Sequence, residues 1–80
     1  MTHLIDTSWH QISQTQFAHL AHRLHFAVEM CKIVVGDTEV MASVMLRRGV
    51  PALMVAREHG PEGDHTSYHV AEGGPLNHHH

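Results

Sequence analysis

From Ser13 to Val35 the chain reads SQTQFAHLAHRLHFAVEMCKIVV, with no glycine or proline to interrupt it. No other stretch restricts the fold as much. Ser13 is a good N-cap, because its hydroxyl can accept a bond from an unpaired amide of the first helical turn. Gln16 stands three residues on, where a capping box wants Glu or Gln. Apolar residues then recur at Phe17, Leu20, Ala21, Leu24, Ala27, Val28 and Cys31, in steps of three and four that draw one helical stripe. The pattern predicts a helix from about Gln14 to about Cys31, with Leu20, Leu24 and Val28 buried. Ile33, Val34 and Val35 are β-branched and favour extended chain, although one more turn capped by Gly36 is the alternative.

At about 100° per residue, His19, His22, Phe26 and Met30 fall on the side away from that stripe. A solvent-facing side usually carries Lys, Glu and Arg, yet Arg23 and Glu29 are the only charges between Gln16 and Lys32. His19, His22, Phe26 and Met30 are therefore a candidate contact ridge for another protein or a second copy. The plainer alternative is an exposed face with few charges.

After the turn signal Gly36-Asp37-Thr38, residues 39–48 read either as a strand or as a second helix ended by Gly49. Residues 50–58 and 66–72 alternate in period two, with a Gly- and Pro-containing loop from His59 to Asp64 between them. If Arg48-Gly49 is a tight turn, 39–72 form a three-stranded meander. The expected fold is α+β: one long N-terminal helix packed on a small antiparallel three-stranded sheet. Two helices plus a C-terminal β-hairpin is the runner-up. Thr2 to Ile5 reads as a short edge strand, and Trp9 as a lid over one end of the core. Residues 1–75 make one small domain. Residues 76–80 read as a tail, with His78, His79 and His80 part of an affinity tag.

Eighty residues bury too little surface for comfortable stability as a monomer, which favours association. Five Lys and Arg against eight Asp and Glu give a net charge of −3, and only Arg47 and Arg48 are adjacent. That leaves no stretch long enough for a phosphate-tracking surface and argues against general nucleic-acid binding. The longest apolar run, Val40 to Leu46 with Ser43 inside it, is too short to span a bilayer as a helix. The single cysteine, Cys31, forbids an internal disulfide and reads as a small buried residue. No secretory signal is visible in MTHLIDTSWH, so the expected location is the cytoplasm.

The histidine content is high, but it fits no known metal code: no Cys-x-x-Cys, no His-Glu-x-x-His. His59 and His65 flank one hairpin loop and are the best-placed pair for Zn or Ni, with Glu62 and Asp64 as possible oxygen donors. Exposed histidines without a metal are the ordinary alternative. Ser43 and Ser67 lack the Gly-x-Ser-x-Gly elbow of a hydrolase, and no glycine loop cradles phosphate. An independent enzyme is not expected. The expected function is a small cytoplasmic protein-binding module, an inhibitor or adaptor of the kind mobile elements carry, acting by protein–protein contact. Divalent-metal binding and a histidine-based pH response are the rivals.

Overall fold

The computed structural model describes residues 7–23 and 25–72. The expected strand at Thr2–Ile5, the burial of Leu24 and the tail from residue 76 lie outside them. The elements run β1 (Trp9–Ile12), α1 (Gln14–Arg23), β2 (Ala27–Val35), β3 (Thr38–Arg47), β4 (Val50–Gly60) and β5 (Gly63–Ala71). The strands form one antiparallel sheet in the order β1-β5-β4-β3-β2.

This overturns the long helix on a three-stranded sheet, and the two-helix alternative with it. The helix starts where the sequence says it should. Ser13 Oγ accepts from the Gln16 amide at 3.1 Å, and Gln16 Oε1 accepts from the Ser13 amide at 3.1 Å, a complete capping box. It stops at Arg23, eight residues before Cys31. The reason is partly geometric. β1 and β2 stand at opposite edges of the sheet, so the chain must cross four inter-strand steps, roughly 19 Å. The 10 residues of α1 cover about 15 Å, and the chain is back in the sheet at Ala27. A helix continued to Cys31 would reach about 27 Å and overshoot the sheet.

The other part is pairing. Ala27–Val35 matches β3 residue for residue, from Ala27 opposite Leu46 to Val35 opposite Thr38. Val28, Ile33, Val34 and Val35 suit a pleated strand. Gly36 at φ 60° opens the two-residue turn that joins the strands. A ladder with β3 outweighs the local helical stripe, which continued through Ala27, Val28 and Cys31 only as sequence.

The strands expected at 39–48, 50–58 and 66–72 are present, and β4 and β5 extend further toward their shared turn. They are the middle of a larger sheet rather than the whole of a small one. Arg48 and Gly49 both take positive φ, at 56° and 79°, which is the backbone a tight two-residue hairpin needs. Pro51 sits beside a register shift between Met45 and Leu46, where the missing amide costs no ladder bond.

The core lies between α1 and one face of the sheet. Phe17, Leu53 and Val70 are buried at its centre, with Ile12, Leu20, Ala21, Phe26, Met45, Val55 and Tyr68 packed around them. The Phe17 and Tyr68 rings meet at 5.1 Å with a 47° tilt. On the opposite face Ala42, Val44, Ala52 and Ala71 are also buried. No helix among the described residues is long and apolar enough to cross a membrane.

Candidate functional site

α1 is too short to cover its whole face of the sheet. Period-two alternation carries that face on from Leu53 and Val55 to Arg57 and His59 in β4. The neighbouring strands follow: Met45 to Met41 in β3, Val70 to Asp64 in β5, Val28 to Val34 in β2. Beyond the helix these residues floor an open basin of about 390 Å³, lined among others by Met30, Met41, Ser43, Arg57, His59 and Thr66. Two of its carboxylates have partners. Lys32 Nζ meets Glu39 Oε2 at 3.0 Å, and His59 Nδ1 pairs with Asp64 Oδ1. The Ser43 hydroxyl donates to Met30 Sδ at 3.2 Å.

Met30 also belongs to β2, the strand at one edge of the sheet. β2 has nine residues, no proline, no glycine and no bulge against β3. Natural edges are kept short, or carry outward lysines, prolines or bulges, because an open ladder invites another strand. On the opposite edge β1 has only 4 residues, and the part of β5 that it leaves unpaired, Gly63 to Ser67, carries no large apolar side chain. β2 has neither safeguard. Its one lysine is turned back onto Glu39 of its own sheet. Its large apolar side chains are exposed on both faces: Val28 53%, Met30 60%, Ile33 45%, Val34 63% and Val35 68%. Isolated exposed apolar residues are ordinary, but five on one open edge are not isolated.

The hairpin fixes which backbone groups are free. Val35 and Thr38 flank a two-residue turn, so they are a hydrogen-bonded pair. Bonded positions alternate, so Ile33, Cys31, Glu29 and Ala27 also point their amides and carbonyls toward β3. Those of Val28, Met30, Lys32 and Val34 point outward, where no described strand pairs with them.

The residues of the expected ridge do not share one helix face. His19 and His22 are exposed on α1 beside a shallow depression that Gln14, Thr15 and Ala18 complete. Phe26 turns inward against the core after the helix has ended. Met30 stands alone of the four on the β2 edge. His59 and His65 share a hairpin, but register opposes His59 to Asp64 and His65 to Glu58. The two imidazoles therefore leave opposite faces of the sheet. Among the described residues no group of three His, Cys, Asp or Glu side chains is arranged to hold a metal.

The edge itself is hidden in the sequence because the helical spacing runs on through Ala27, Val28 and Cys31, and only Ile33 to Val35 favour extended chain. The signal available for it was the β-branched run at 33–35 directly before a glycine turn.

One further pair is on the opposite face. The Ser67 hydroxyl lies 2.9 Å from His69 Nε2. Burial holds the His69 imidazole below its ordinary pKa of 6.5. The unfolded chain thus takes up this proton at higher pH than the folded one. The associated stability is intact above the unfolded value and is lost as pH falls through the native one. His69→Gln is expected to shrink the drop in melting temperature between pH 7.5 and 5.5. An equal drop in both proteins would assign the acid sensitivity to other groups.

Compared with protein-family models, curated proteins and solved structures, the chain matches none.

Proposed function

We propose that this chain is a small protein-binding module whose docking site is the open edge of β2. An extended polypeptide segment laid along β2 would become a sixth strand. Main-chain bonds to Val28, Met30, Lys32 and Val34 would supply affinity. Alternate side chains of the added strand would reach the rim of the basin beside Met30 and supply selectivity. The observation that carries this reading is the long unguarded edge with five exposed apolar side chains. An inhibitor or adaptor role is compatible with such a site, because strand addition needs no catalytic group. A single free cysteine suits a reducing compartment, and we place the protein in the cytoplasm.

The test is selection from a displayed library of random linear peptides, followed by NMR mapping of the selected peptides. Shifts are expected at the outward amides of β2 and at Met30. Val34→Pro removes an outward donor while leaving the bonds to β3 in place, and should weaken the selected peptides at least tenfold. Peptides that map to α1 or to the opposite face, and that Val34→Pro leaves untouched, would sink this reading.

A further inference from the structure

We infer that the strand which completes the β2 edge belongs to a second copy of this chain, joined antiparallel across a two-fold axis at Cys31. This rests on the edge being a docking site, as proposed above, and names its occupant.

The backbone limits how two copies can meet. Only Val28, Met30, Lys32 and Val34 offer outward donors and acceptors, so an outward residue of one copy must face an outward residue of the other. Every facing pair then joins two even-numbered or two odd-numbered positions. Such pairs keep the same side of the sheet in both copies. The axis therefore runs perpendicular to the sheet, and both helices lie on one face of a continuous ten-stranded sheet.

Side chains choose the register. Centred on Cys31, Val28 faces Val34 of the second copy, Ala27 faces Val35, Met30 faces Lys32 and Glu29 faces Ile33. All nine residues of β2 are paired, with about eight new ladder bonds from four facing pairs. Centring on Met30 leaves Val34 and Val35, the two most exposed of the apolar side chains, beyond the end of the facing strand. Centring on Lys32 sets two ammonium groups directly opposite each other, which is unfavourable. With Cys31 at the centre the two Lys32 side chains are only diagonal neighbours, and each is matched by its own Glu39.

The area agrees with a specific but modest association. Pairing covers the five exposed apolar side chains and the open backbone of each copy, roughly 1,000 Å² in total, near the floor for a specific interface.

The register carries its own reporter. Cys31 bonds toward β3, so opposite its counterpart it forms a non-hydrogen-bonded pair, with Cα atoms about 4.5 Å apart. That separation falls within disulfide range. Diamide takes the two electrons and two protons of a pair of thiols, so it should link wild-type chains into a covalent dimer through Cys31.

The experiment combines sedimentation equilibrium from 5 to 500 µM with diamide crosslinking under reducing and non-reducing conditions. The expected result is a concentration-dependent dimer, crosslinked in the wild type and not in Cys31→Ser. Val34→Pro, checked for native circular dichroism, should weaken the dimer at least tenfold. If Val34→Pro does not fold, the wild-type crosslink still decides the register. A monomer at 500 µM overturns the proposal, and so does a dimer whose Cys31 resists diamide. If the protein is monomeric yet selected linear peptides still map to β2, self-pairing fails alone and the docking reading survives. If neither is seen, both fall.

Discussion

Leu53→Ala is expected to lower the unfolding free energy by about 2–5 kcal/mol. Leu53 is fully buried in the first half of β4, between β3 and β5 and in the core cluster with Phe17. Its Cβ neighbours in register, Met45 and Val70, belong to the same core, so a cavity there has little means of collapse. An 80-residue domain has on the order of 4–12 kcal/mol in all, so the loss approaches the whole in the lower half of that range. Urea unfolding followed by Trp9 fluorescence and by circular dichroism measures it. Arg57→Ala, on the same strand and the same face but past the helix, is the control and should change stability by less than about 0.5 kcal/mol. Similar losses at the two positions would mean that the helix does not divide the face into a sealed half and an open half.

Phe17→Ala should be comparably severe, about 3–5 kcal/mol, and different in kind. Phe17 is the one buried residue of α1, and its ring packs on Tyr68. An isolated helix of 10 residues is marginal in water even with a complete cap. α1 therefore depends on this contact for its existence more than the sheet depends on α1. The expected signature is loss of helical circular dichroism and of α1 amide signals at a denaturant concentration where the β3–β4 amides remain protected. A single cooperative transition with both signals lost together would show instead that helix and sheet form one unit.

The contrast between these two residues bears on what could be read from sequence. The start of α1 was legible because the Ser13–Gln16 box is local, and both of its bonds are made within one turn. The strands from Val50 onward were legible because alternation survives where one face meets the core, whereas residues 39–48 read either as strand or as helix until their pairing with β2 and β4 decides it. The end of α1 was not legible. Ala27, Val28 and Cys31 continue the helical spacing, and only the distance between the sheet edges and the pairing with β3 oppose it. Both of those are facts about residues far away in sequence. The same error placed Phe26 and Met30 on a helix face, when one is a core residue and the other an edge residue. For His59 and His65, the sequence could place both beside one turn. The one-residue difference in register that puts them on opposite faces of the sheet is a property of the turn Gly60–Gly63, set once the ladder forms.

The position of β1 beside β5 governs the order of assembly. β2 to β5 are joined by short turns, so each hairpin closes over a few residues and can form early. β1 meets β5 across nearly the full described chain, from Trp9 opposite Ala71 to Ile12 opposite Tyr68, with Glu72 N–H donating to Ser8 O at 2.8 Å. Closing so long a loop costs entropy that is recovered only when α1 is also seated. The meander is therefore expected to precede both, with contacts of Phe17 formed on the late side of the folding barrier. During that interval β5 is open along its whole outer side as well as β2, and once β1 has docked only Gly63 to Ser67 of β5 stay unpaired there.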